Sequence, residues 1–265
     1  MSLLEEQECE DLWGYAKRLR FVRDSIGEAF PGQQPSSIRI LDVGCGNGSQ
    51  LALPLALGGG FQLTGVDTDS RSIEHAKRLA GESVRVRFLC GRIEELEDEA
   101  AFDVVILSEV LEHLERPAEL LRASVRLMKA DGIMIVTVPN GYGEFELDSW
   151  VFRKLRLQRL VDALARNQRE VLGATDNQES GHVQFFTRAR LTRLFRECGL
   201  ETFREGSASF LAGPIAGHIL ARSQRFIEWN SRVTNHLPFQ LASGWYFALR
   251  RDDAPAASAT TGNEA

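Results

Sequence analysis

The chain has 265 residues, 43% of them hydrophobic and 26% charged, with a formal net charge of −6. That is the composition of a globular protein with enough apolar material for one large domain, and it excludes a low-complexity chain. The acidic balance also excludes a general electrostatic attraction to nucleic-acid phosphates, although a local basic patch is compatible with it.

The opening MSLLEEQECED is acidic and lacks an apolar run, so no signal peptide is expected. Residues 3–29 carry Leu12, Tyr15, Ala16, Leu19, Val22 and Ile26 at helical spacing and predict a helix that stops near Pro31 and Gly32. A loop over 32–37 leads into an apolar strand over 38–43. A short helix over 50–57 is expected despite Pro54, then a strand over 62–66 and a helix over 71–80 with Ser70 as its N-cap. Strands follow over 84–90 and 102–107. Pro117 introduces a helix over 118–128, and a fifth strand covers 133–138.

Five apolar strands separated by helices predict a parallel sheet covered on both faces, with right-handed crossovers. Beyond residue 140 this rhythm breaks. Residues 141–183 are polar and irregular, with a basic helix near 150–167. A helix over 187–198 has Thr187 as its cap and Gly199 after its end. A strand over 200–204, an insertion over 206–242 and a last strand over 244–250 complete the pattern. The two late strands predict an antiparallel pair at one sheet edge.

The expected architecture is therefore α/β: a Rossmann-like, mostly parallel sheet with helices on both faces and helical cap insertions. It divides into an N-terminal helical segment (1–31), a core (32–140), a lip (141–183), a C-terminal part (184–251) and a tail (252–265). The tail is rich in Ala, Ser, Thr and Asp and is expected to be disordered. Cys9, Cys45, Cys90 and Cys198 stand singly and read as reduced thiols of a cytoplasmic protein. The apolar stretch 210–220 is broken by Gly213, Pro214, Gly217 and His218. It is too short to span a bilayer, which takes about 20 apolar residues.

The stretch ILDVGCGNGS places glycines at 44, 46 and 48, where the first strand gives way to a helix. Without Cβ atoms the backbone there can approach a ligand closely. A dinucleotide fingerprint would put its third glycine at 49, which is Ser49. Asp67 ends the second strand, where a carboxylate can accept from both hydroxyls of a ribose. The alternative is a helix-capping role, which Asp69 or Ser70 can equally fill.

Leu41-Asp42-Val43-Gly44-Cys45-Gly46-Asn47-Gly48, Gly65-Val66-Asp67, Phe102-Asp103-Val104-Val105, Ser108-Glu109-Val110-Leu111-Glu112-His113 and Leu127-Met128-Lys129-Ala130-Asp131-Gly132 occur in one order across about residues 38–140. In this set the chain resembles the class I S-adenosylmethionine-dependent methyltransferases, whose fold is a seven-stranded sheet with an antiparallel last strand. The resemblance implies that Gly44 and Gly46 face the methionine part of S-adenosylmethionine, with Asp42 near its amino group. It implies that Asp67 holds the ribose, that Thr68 touches the adenosine and that Ser108 lies beside the cofactor. Where the family often brackets adenine with an acidic and an apolar residue, this chain has Arg92 and Ile93. Ile93 can pack on the ring, but Arg92 cannot accept from the adenine amino group. Arg20 can reach the methionine carboxylate or lie on a solvated face, the second being the simpler reading.

In SEVLEHLERP, residues Glu109, Glu112 and His113 stand at i, i+3 and i+4 and share one face if the turn is helical. Two carboxylates and an imidazole can ligate Mg²⁺ or another divalent cation. The arrangement looks like that of ubiquinone-biosynthesis O-methyltransferases and of certain RNA 3′-end ribose methyltransferases, which use a cation to orient an oxygen nucleophile. His113 or His182 can instead act as base or orient the acceptor, with Glu109 beside them, or these residues can be structural. Phe210, Phe226, Trp229 and Phe239 can roof a substrate or belong to the core, and the basic run Arg153, Lys154, Arg156, Arg159 reads as a solvated helix face.

The expected activity is methyl transfer to an oxygen of a small molecule such as a quinone, a phenol or a sugar. The rivals are RNA ribose methylation, NAD-dependent oxidoreduction and a non-catalytic cofactor-binding subunit. Nucleic acid is an unexpected partner, and the oligomeric state stays open.

Overall fold

The computed structural model describes residues 10–11, 14–97, 99–140, 183–211 and 223–252. Seven strands form one sheet: β1 (Arg39–Val43), β2 (Gln62–Asp67), β3 (Val86–Cys90), β4 (Phe102–Ser108), β5 (Met128–Pro139), β6 (Leu200–Ser207) and β7 (Gly244–Arg251). Their order is β3-β2-β1-β4-β5-β7-β6. β1 to β5 pair in parallel, whereas β7 runs antiparallel to both β5 and β6. The expected late antiparallel pair is present, with the last strand slotted inside β6.

Five helices are described: α1 (Tyr15–Ala29), α2 (Ser70–Ala80), α3 (Pro117–Leu127), α4 (Arg188–Glu197) and α5 (Gln224–Val233). The pleat sends alternate strand residues to opposite faces. Ile40, Val104, Ile106, Ile133 and Ile135 pack with Leu19, Val22 and Ile26 of α1 and Ile73 of α2. Leu41, Val105, Leu107, Met134 and Val136 pack with Leu121 of α3 and with Leu191 and Phe195 of α4. Each central strand is therefore buried on both sides, which is why it reads as an unbroken apolar run.

Several local expectations are corrected. The helix expected over 50–57 is reduced to a short helical start and one wide turn, Pro54–Gly58, closed by the Gly59 N–H donating to the Pro54 carbonyl at 3.0 Å. The N-cap of α2 is Asp69, not Ser70. Asp69 is extended and its carboxylate accepts from the Arg71 and Ser72 backbone N–H groups, while Ser70 is already helical. β5 starts at Met128 rather than 133, and β6 continues to Ser207 rather than stopping at 204. Thr187 does cap α4, accepting from the Arg190 N–H. The expected basic helix near 150–167, the tail beyond 252, and Cys9, Leu12, Gly213, Pro214, Gly217 and His218 lie outside the described residues. Among the described residues no helix is long and apolar enough to cross a membrane.

Candidate functional site

The chain leaves β1 toward β2 on one side and β4 joins on the other, so the sheet order reverses between β1 and β4. A crevice at the carboxyl ends of these strands is where such sheets bind ligands. Gly44, Gly46 and Gly48 line it in the left-handed region, with φ of +68°, +54° and +73°. A Cβ on Gly44 would lie 2.6 Å from Val110 Cγ2, so this bend is pressed against the turn after β4. A Cβ on Gly46 would meet nothing within 4 Å, so here the loop faces open space.

Asp67 stitches this loop to β2. Its carboxylate accepts from the Gly46 N–H at 2.7 Å and from the Asp69 N–H at 2.9 Å. Each oxygen keeps a lone pair for a further donor. Asp42, 3% exposed, lies beneath the loop. Burial, reinforced by the Asp67 charge and opposed by Arg18, pushes its carboxyl up to about 7. An ionised Asp42 thus lacks a nearby full counter-charge, and a ligand cation would supply one. Burial, Asp42 and Asp67 also drive the Cys45 thiol far upward, so it is not a nucleophile.

Arg18 is the residue that the sequence reading missed. It sits on α1 and is 5% exposed, and its Nη1 donates to Ser108 Oγ at 2.9 Å. Its Nη2 lies 3.6 Å from Glu109 Oε1. Burial works against its charge, but Glu109, Tyr246 and Tyr15 outweigh that, and its pKa is raised. Arg18 Nε is buried without a hydrogen-bond partner among the described residues. Arg20, two residues on, turns outward and pairs with Glu10. The only sequence signal for Arg18 is its place between Tyr15 and Leu19 on the apolar face, where a charged residue is costly unless it is paired.

The other expected positions divide. Ser108 ends β4 and bonds both Arg18 and Thr137 Oγ1, the latter at 3.0 Å. Thr68 is exposed beside the crevice. Arg92 is exposed and turned to Glu94 at 3.4 Å, whereas Ile93 is 2% exposed and packed into the core. Phe226 and Trp229 lie on α5 with their rings 5.7 Å apart, and Phe239 stacks on Trp245.

Glu109, Glu112 and His113 do not share a face. Glu109 precedes a one-turn 3₁₀ segment, Leu111–His113, and has φ +55°, so the helical spacing does not apply. Its side chain accepts from Thr137 Oγ1 at 2.8 Å. Glu112 is 2% exposed, and burial next to the Glu109 charge holds its carboxyl well above the usual carboxylate range. His113 is partly exposed, with Nε2 3.8 Å from Glu112 Oε1. Among the described residues no three His, Cys, Asp or Glu side chains are grouped to hold a metal ion. His182 lies outside the described residues. Val183, the next residue, donates its N–H to the Glu112 carbonyl at 3.0 Å.

A family model described as a methyltransferase domain matches residues 13–205. Among curated proteins, the ubiquinone biosynthesis O-methyltransferase of Rickettsia akari is 37% identical over 124 residues, 46% of this chain and 48% of that protein. The protein of the same name from Maricaulis maris is 40% identical over 129 residues, 46% and 50% of the two chains. The chain thus spans about half the length of the curated relatives it matches. Among solved structures, magnesium protoporphyrin IX methyltransferase from Synechocystis with bound SAH has a TM-score of 0.55 at 17% identity, covering 90% of this chain and 83% of that one. The [4+2]-cyclase SpnF has a TM-score of 0.53 at 18% identity, covering 87% and 80%. These likenesses concern the fold, and a cyclase among them shows that the fold alone does not fix the reaction.

Proposed function

The chain belongs to the methyltransferase-domain family, and on that premise we propose that it transfers a methyl group from S-adenosylmethionine to an oxygen of a small molecule. The observation that carries the reading is the placement of a buried carboxyl, Asp42, and a buried guanidinium, Arg18, near a glycine loop that opens at Gly46. An amino-acid zwitterion matches that pattern. Asp42 would take its ammonium and Arg18 its carboxylate, while Asp67 offers its remaining lone pairs to a ribose diol. Thr68 and Ser108 line the same rim. S-adenosylmethionine, when bound, supplies a methyl group on an electrophilic sulfonium.

The remaining work falls to residues that orient the acceptor and remove its proton. His113 stands partly exposed on the turn after β4, and we assign it as the base for the acceptor hydroxyl. His182, which lies outside the described residues, is a second candidate on the sequence alone. The reading assigns no step to a metal, since among the described residues no three His, Cys, Asp or Glu side chains are grouped to hold one. The preference for a small hydroxyl compound over nucleic acid is supported by the names of the curated relatives and by the net charge of −6. A cytoplasmic location is supported by the free thiols of Cys45, Cys90 and Cys198.

Titration calorimetry with S-adenosylhomocysteine and, separately, with NAD tests the cofactor. Binding of the first and not the second is expected, and the reverse result ends the proposal. Incubating a metabolite extract with methyl-deuterated S-adenosylmethionine then identifies the acceptor by mass spectrometry.

A further inference from the structure

Glu109 holds a backbone conformation that L side chains disfavour, with φ at +55°. Such positions persist only where the surroundings over-determine them, and they gather at functional sites. Two polar groups of Glu109 bond Thr137: its N–H donates to the Thr137 carbonyl at 3.0 Å, and its carboxylate accepts from the Thr137 hydroxyl at 2.8 Å.

We propose that Glu109 is a positioning residue, neither metal ligand nor base, whose carboxylate ends a chain of hydrogen bonds from Arg18 and ion-pairs back to it, aiming the Arg18 guanidinium at an incoming carboxylate. This rests on the S-adenosylmethionine reading above.

The proton directions in this hydrogen-bond chain are fixed. Thr137 has one hydroxyl proton and gives it to Glu109, so at their 3.0 Å contact Ser108 donates to Thr137. Ser108 in turn accepts from Arg18 Nη1 at 2.9 Å. The sequence of donors therefore runs Arg18, Ser108, Thr137, Glu109, and it closes where Glu109 Oε1 lies 3.6 Å from Arg18 Nη2. Every dipole points the same way, from cation to anion, so each bond strengthens the next. The network joins α1, β4, β5 and the turn after β4. It leaves Arg18 Nε buried without a partner among the described residues, a donor still to be satisfied. A residue that merely braced the turn would not need a charge, because a glutamine oxygen accepts the Thr137 proton equally well.

Glu109→Gln keeps that brace and removes the charge. Calorimetric titration of S-adenosylhomocysteine should show affinity falling about tenfold, the coupling expected within one hydrogen-bonded network. In an Arg18→Met background the same change should cost nothing further. Glu109→Gly suits the left-handed backbone, so its melting temperature should match or exceed that of Glu109→Ala while its affinity falls as in Glu109→Gln. Wild-type binding with an unchanged Glu109→Gln overturns the proposal. So does a full loss that persists in the Arg18→Met background, or a calorimetric heat of Mn²⁺ binding that Glu109→Gln abolishes. Failure of the wild type itself to bind S-adenosylhomocysteine would instead bring down the underlying cofactor assignment.

Discussion

Arg18 and Arg20 are two residues apart on α1 and point about 200° apart around the helix axis. One is inside with Ser108 and Glu109; the other is outside with Glu10. Arg18→Met should therefore weaken S-adenosylhomocysteine binding by one to two orders of magnitude, roughly the value of a charge-assisted hydrogen bond. Arg20→Ala should leave it unchanged in the same titration. Asp42 supplies a pH signature. Its folded pKa of about 7 lies above its ordinary 3.8, so its contribution to the ligand-free fold is complete below about pH 4 and is lost as pH rises through about 7. Denaturant unfolding across that window should show the decline, and Asp42→Asn should flatten it. A cationic ligand end favours the ionised form, so affinity for S-adenosylhomocysteine should rise from pH 6 to 8 in the wild type and not in Asp42→Asn.

At the scale of elements, the glycine loop and β2 use small residues for different purposes. A Cβ on Gly46 meets open space, so Gly46→Ala should cost only about 1 kcal/mol of stability for its positive φ while obstructing the ligand side of the loop. A Cβ on Gly65 would sit 2.7 Å from the Phe88 ring and 2.8 Å from Cys45 Sγ, inside a packed core. Gly65→Ala should cost about 1–3 kcal/mol by urea unfolding. The loop motif was legible as a bend for close approach. Which glycine opens outward and which is crowded was not, because that depends on Phe88 from β3 and Val110 from beyond β4. The same limit applies to the turn after β4. Helical spacing puts Glu109, Glu112 and His113 on one helix face on paper, whereas the left-handed backbone at Glu109 means that this turn is not a helix beginning there.

The whole molecule depends on β7 entering between β5 and β6. Arg251 at its end donates to the carbonyls of Val125 and Met128 at 2.8 Å each, tying the last strand to the end of α3 and the start of β5. Arg251→Ala should lower stability by about 1–3 kcal/mol in urea unfolding, since two charge-assisted bonds to carbonyls are lost. It should leave affinity for S-adenosylhomocysteine intact, because these bonds lie away from the glycine loop.

The sequence by itself determined the alternation of strand and helix, the parallel core, the late antiparallel pair and the glycine bend at the end of the first strand. Those follow from local periodicity and from glycines and a carboxylate at strand ends, all of which are short-range. Only the tertiary structure decided that Arg18 rather than Arg20 reaches Ser108 at the end of β4, that Ile93 is buried, that Asp69 is the cap, and that the Glu109 carboxylate meets Thr137 and Arg18. Each of these depends on groups from elements far apart in the chain, whose burial and charge exist only once the sheet has brought them together.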